Sequence, residues 1–182
     1  MGEKIHYLHS SLEVGALGET VVLEYLLTQK YITGYIDVRK NNEYQKVDID
    51  YLLEFSDGTY HGAEIKTDTY SGTGNIFYEE WSAVEQLTLG CFEKTKAKWL
   101  FYFFLDDKTL YIFSPQKFRE WEHLNRNLFK ACFVKNELLN WDGTKSGRFF
   151  HSVGRLIPRH VIERLDFVRT HDLSVFAKST HM

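Results

Sequence analysis

The sequence predicts a mixed α/β domain in which helices flank a central sheet. Three observations carry that expectation. Apolar residues recur at helical spacing from about Ser11 to Lys30, strand-like segments follow one another between Tyr35 and Phe113, and helical pattern returns from Pro115. The 182 residues suit one compact domain spanning 1–182. With 43% hydrophobic and 16% aromatic residues the chain is too apolar for disorder. No run of eighteen apolar residues occurs, so no membrane partner is expected. Met1–His6 lacks the basic and then apolar stretch of a signal peptide. Two cysteines, Cys91 and Cys132, cannot build a disulfide framework or a four-cysteine zinc site, so a reducing, cytoplasmic setting is expected.

The elements follow in order. In the first helix Val14, Leu17, Val21, Val22, Tyr25 and Leu26 form the apolar stripe, and Ser10 or Ser11 can cap its start. Gly15 and Gly18 cost helix propensity but permit close packing, and Glu19 lies beside that small-residue patch. Tyr35–Arg39 reads as a short strand. Val47, Ile49, Tyr51, Leu53 and Phe55 then alternate with mostly polar residues, the period of a strand. Ser56-Asp57-Gly58 is a turn, Tyr60–Thr67 a return strand, and Asn75–Trp81, Trp99–Leu105 and Leu110–Phe113 further strands. Pro115 suits a first helical position, and the helix is expected to run to about Asn127. Leu128–Leu139 could extend it or pack separately. Phe149–Ile157 reads as extended and Pro158–Leu165 as a short helix.

The net charge of −3 conceals an asymmetry. Residues 1–114 hold 10 Lys and Arg against 18 Asp and Glu, a balance of −8; residues 115–182 hold 12 against 7, a balance of +5. A basic segment can meet phosphates, whereas clustered acids repel them unless cations intervene.

The chemistry concentrates between Asp48 and Lys66. Glu64 and Lys66 are two residues apart, so a strand points both to one face. A two-residue turn would put Asp50 on the wrong face. A three-residue loop, Ser56-Asp57-Gly58, ending in a left-handed glycine, pairs Phe55 with Thr59 and hence Asp50 with Glu64. The same register sets Asp48 opposite Lys66, and parity alone does not separate Asp48 from Asp50. Opposed carboxylates destabilise a strand pair by roughly 0.2–1 kcal/mol, and more when buried. A hard divalent ion with oxygen ligands relieves that repulsion, which suits magnesium. Lys66 would then sit where it could orient a water and offset charge on a phosphate.

Asp50 followed across a hairpin by Glu64-Ile65-Lys66 resembles the metal-site motif of the PD-(D/E)XK nucleases, the restriction-endonuclease-like superfamily. The similarity covers roughly residues 11–113, and Gly15-Ala16-Leu17-Gly18-Glu19 resembles the helix-one glutamate segment of many members. Ile49 stands where the family name has proline. The resemblance implies a central mixed β-sheet flanked by helices and Mg2+-dependent hydrolysis of phosphodiester bonds in double-stranded DNA, with Mn2+ able to substitute. It further implies that Asp50 and Glu64 ligate the metal, that Lys66 positions the water and that Glu19 acts through the metal's water shell. Thr73-Gly74-Asn75-Ile76-Phe77-Tyr78-Glu79 resembles a stretch of some restriction and phage-type nucleases, making Glu79 a candidate extra acid at the metal.

A domain of this size leaves little room for a separate sequence-reading module. A restriction-type cleavage subunit beside a larger specificity subunit, as in heterodimeric type IIS enzymes, is therefore expected, or a homodimer cutting both strands. A Holliday-junction resolvase-like nuclease and a non-catalytic nucleic-acid-binding subunit are the alternatives. Lys94, Lys96 and Lys98 alternate toward a strand entrance, and with Arg148, Arg155 and Arg159 they are candidates for phosphate contacts. No His-Glu-x-x-His or paired Cys/His spacing points to zinc, and Gly72-Thr73-Gly74 lacks the lysine of a phosphate loop.

Overall fold

The computed structural model describes residues 6–140 and 144–176. In chain order the first elements are β1 (His6–Tyr7), α1 (Leu8–Leu27), β2 (Ile32–Asp37), α2 (Asn42–Gln45), β3 (Tyr51–Phe55), β4 (Tyr60–Asp68), β5 (Asn75–Ala83) and β6 (Thr88–Leu89). They are followed by α3 (Cys91–Lys94), β7 (Trp99–Phe104), β8 (Thr109–Phe113), α4 (Pro115–Asn125), β9 (Lys130–Leu139), β10 (Lys145–Pro158), α5 (Arg159–Ile162) and β11 (Val168–Asp172). Among the described residues no helix is long and apolar enough to cross a membrane.

The fold is mixed α/β. A six-stranded sheet in the order β11-β8-β7-β4-β3-β2 carries five of the sequence-predicted strands together with β11, which was not expected, and only its β4–β7 pair is parallel. Helix α1 covers one face: Val21, Val22, Tyr25 and Leu26 pack with Tyr51, Leu53, Ala63, Ile65, Phe101 and Phe103. The side chains alternate, so β7 sends Leu100, Tyr102 and Phe104 to the opposite face. Leu100 to Phe104 are all buried, as expected for a central strand covered on both sides.

The opposite face is covered partly by a second sheet, which the expectation of one central sheet did not include. Its order is β1-β9-β10-β5-β6. Ile76 and Tyr78 of β5 and Ile157 of β10 join Phe92, Phe118 and Ile162 from α3, α4 and α5 in the second core. β5 pairs with β10 on one side and with the short β6 on the other, not with β4, which precedes it in the chain. Residues 130–139 form a strand and do not extend α4; β10 pairs with them over most of their length.

Several boundaries shift, among them that of β2, which runs Ile32–Asp37 and not Tyr35–Arg39, and the start of β3 shifts for a local reason. The predicted strand from Val47 begins only at Tyr51, because Asn41 caps the short helix α2 by accepting from Glu43 N at 2.9 Å. The chain then turns through Asp48, whose φ is 52°, before entering the sheet. Helix α1 begins and ends three residues earlier than expected. Gly18 does permit close approach: a Cβ there would lie 2.1 Å from Thr67 Oγ1 of β4.

Candidate metal centre

The β3–β4 hairpin is built on the three-residue loop. Phe55 N donates to Thr59 O at 2.9 Å and Gly58 N to Phe55 O at 2.8 Å. Gly58 sits at φ 79°, the left-handed region where a side chain is strained. Asp57 Oδ1 accepts from Thr59 N and Oγ1, fixing the tip. Gly58→Ala is expected to destabilise the chain by about 1 kcal/mol, since alanine there adopts a disfavoured backbone conformation. Urea melts of the two proteins check this, and equal midpoints would discount the loop as the register-setting element.

Tyr51 pairs with Ala63, Leu52 with Gly62, Leu53 with His61 and Glu54 with Tyr60. One step further sets Asp50 opposite Glu64. Asp50 N donates to Ala63 O at 3.0 Å, and Asp50 Oδ2 accepts from Ile65 N at 3.0 Å. The two carboxyls lie within hydrogen-bonding reach of each other. Glu64 is 8% exposed, and its Oε2 is buried without a hydrogen-bond partner. Burial first, and then the charges of Asp50 and Asp48, hold the Glu64 carboxyl well above the usual range. Burial also raises Asp50, against the opposing hydrogen bond from Ile65 N. A buried carboxyl with an unpartnered oxygen, facing a second, half-buried carboxyl, presents hard oxygen ligands that suit a divalent cation.

Asp48 takes a different place. Outside the strand, its Oδ1 pairs with Lys94 Nζ at 2.8 Å and its carbonyl accepts from Thr95 Oγ1 at 2.6 Å. It lies close enough to add to the repulsion on Glu64, but Asp50 is the acid that faces it.

Lys66 shares the Glu64 face of β4, and its Nζ lies 3.7 Å from Glu79 Oε2. The Glu79 charge is the main reason the Lys66 ammonium is held above the ordinary lysine range. Glu79 is buried in β5 and closely covered, since a Cβ on Gly90 would fall 2.2 Å from Glu79 O. Its oxygen therefore faces the lysine, an arrangement different from the extra metal ligand expected of it.

Glu19 reaches the neighbourhood from α1, near enough for Asp50 to raise its pKa, though burial is the larger cause. Its Oε2 accepts from Tyr51 OH at 2.9 Å and pairs with Arg39 Nη1. Arg39 is in turn held by Asp37 at 2.6 Å and lies over the Tyr51 ring. The sequence offered no sign of this Arg39 clamp beyond a basic residue at the end of a predicted strand.

The expected phosphate contacts divide. Lys94 is committed to Asp48, Arg155 Nε donates to Glu80 Oε1 at 2.8 Å, and Arg159 bonds Tyr111 OH and Asp107 while lying over Phe104. These three charges are spent inside the fold. Lys96 and Arg148 are exposed, and Lys98 Nζ lies 2.8 Å from His61 Nε2.

Among the described residues, Glu93, Glu122 and His123 form the one set of three metal-ligating side chains with donor atoms within 4.8 Å of one another. Sequence spacing did not bring them together, because they lie on α3 and α4. Tyr78 OH and His123 contact Glu93 at 2.9 Å, and Arg126 pairs with Glu122 Oε2 at 3.2 Å, while Glu122 Oε1 is buried without a hydrogen-bond partner. No protein-family model, curated protein or solved structure matches the chain.

Proposed function

We propose that this chain is a Mg2+-dependent endodeoxyribonuclease acting on double-stranded DNA. The observation that carries the reading is the Asp50–Glu64 pair, in which a buried oxygen of Glu64 has no partner and Lys66 stands on the same strand face. The donor set fits the ion: two carboxylates facing each other across the hairpin offer hard oxygen ligands, and a divalent charge would relieve the repulsion that helps raise the Glu64 carboxyl. Asp50 and Glu64 would hold it, with Glu19 beside them once its contact with Arg39 loosens. Bound there, Mg2+ would supply Lewis-acid polarisation of the phosphate and a more acidic water.

The remaining work falls to the chain's own groups. Lys66, kept protonated by Glu79, offers a fixed positive charge to the non-bridging oxygens of a phosphate as charge builds on them. Ile65 N fixes the Asp50 carboxyl, so the pair is oriented before substrate arrives. Exposed Lys96 and Arg148 remain available for backbone phosphates. A larger specificity subunit or a second copy would supply what one domain of this size lacks for reading and cutting both strands.

Supercoiled plasmid incubated with the full chain is expected to be nicked or linearised with Mg2+ or Mn2+ and to stay intact with EDTA. Asp50→Asn is expected to abolish cutting and to weaken Mg2+ binding in calorimetry. Cutting that persists in EDTA would remove the metal from the reading. Unaltered Mg2+ affinity in Asp50→Asn would remove this site.

A further inference from the structure

A cavity of about 600 Å3 opens beside Lys66, lined among others by Lys66 and Asp68 of β4, Phe77 and Glu79 of β5, Asn136 of β9 and Ser152 of β10. Its volume falls within the roughly 300–1,000 Å3 usual for pockets that hold a small organic ligand. Val134, Leu156 and the Phe77 ring contribute apolar surface, and a few polar groups stand among them. The Asn136 amide nitrogen donates to Val134 O at 3.3 Å and Ser152 Oγ at 3.0 Å, which leaves its Oδ1 as an acceptor. Asp68 Oδ2 accepts from Tyr102 OH at 2.5 Å. Two carboxylates, Asp68 and Glu79, therefore sit in the wall of a cavity whose cation is Lys66.

That distribution of charge decides what fits. A phosphate inside would meet both acids, whereas a phosphate at Lys66 would meet the ammonium and the candidate metal pair. A neutral, flat group rich in N–H donors suits the interior: apolar walls for its faces and acceptors for its edge. We propose that the cavity receives one unstacked nucleobase of the substrate strand while its phosphate stays at Lys66, so that the protein selects DNA carrying an unpaired or mismatched nucleotide. This rests on the nuclease reading above and adds a substrate class to it. Extruding a base costs least where it is already unpaired, so the cavity itself becomes a source of selectivity.

The test uses the full chain with Ca2+ in place of Mg2+, so that binding is measured without turnover. A duplex with a single unpaired nucleotide is expected to bind about tenfold or more tighter than the matched perfect duplex by fluorescence anisotropy. Asn136→Leu is expected to shrink that preference. Cys132 also lines the cavity, whereas Cys91 is buried in the core behind Lys66 and Glu79 and does not line it. The bulged duplex should slow alkylation of Cys132 in the unaltered protein, relative to the protein without DNA, and the perfect duplex should not. Equal affinities, or Cys132 left unprotected by the bulged duplex, overturn the proposal. If Mg2+ still yields cutting in that case, the nuclease reading survives alone. Failure to bind either duplex overturns both.

Discussion

Replacing Lys66 with alanine is expected to lower Mg2+-dependent DNA cleavage by about 10²–10³-fold, the usual cost of removing one preorganised group that stabilises transition-state charge. The size follows from the placement of the ammonium. It shares a strand face with Glu64, and Glu79 keeps it charged, so its contribution is a fixed cation at the phosphate and not a proton-accepting base. Binding of Mg2+ is expected to change little, because Lys66 offers no ligand to the ion. The lysine is partly exposed, with 38% of its side chain accessible, so its loss should leave the fold intact. Single-turnover cleavage, Mg2+ calorimetry and circular dichroism together check this. A variant that is folded, binds metal and cuts at the original rate would exclude Lys66 from the chemistry. Lys66→Gln, closer in shape, guards against a loss caused only by the void that alanine leaves.

The second large effect concerns stability. With no divalent ion bound, burial and the facing Asp50 raise the Glu64 carboxyl, so the folded chain holds a proton that the unfolded chain has already released above about pH 4.3. More protons bound in the native state means that stability falls as pH rises, with a slope of up to about 1.4 kcal/mol per pH unit for one proton. The loss ends once pH passes the raised folded value. Glu64→Gln cannot ionise, and its amide can still donate to Asp50 as the protonated acid does. The variant is therefore expected to be more stable than the parent at pH 8 in EDTA, and the gap should close toward pH 4. For a chain of this length each kcal/mol recovered is worth about 2–4 °C in Tm. Mg2+ should reverse the order, stabilising the parent by about 2.7 kcal/mol at one hundred times its Kd and leaving the variant unmoved. Several other carboxyls, such as Glu85, lowered to about 2 by its hydrogen bond with His151, pull the pH dependence the opposite way. The difference between parent and variant cancels them. Parallel Tm curves across pH 4–8 would refute a Glu64 carboxyl raised in the folded chain.

What was legible in the sequence was whatever short-range physics determines. The apolar period of α1, the alternation through β3 and β4 and the demand for a left-handed residue at Gly58 are properties of a few adjacent residues. Together they set the register that brings Asp50 to Glu64 and leaves Lys66 on the same face. Asp48 escaped the same reasoning because parity assumes extended backbone, and α2 and a φ of 52° take it out of the strand.

Tertiary structure alone decided the rest, because partners far apart in the chain have no local signature. β5 reads as one more strand of a sheet, yet its pairing with β10 carries it into a second layer and turns Glu79 toward Lys66. Arg39, twenty residues beyond Glu19, takes that carboxylate, and Arg155 and Arg159 are drawn inward by Glu80 and Asp107. A side chain's charge can be read from its letter. Whether that charge faces solvent, a ligand or an opposite charge depends on which distant strand packs against it.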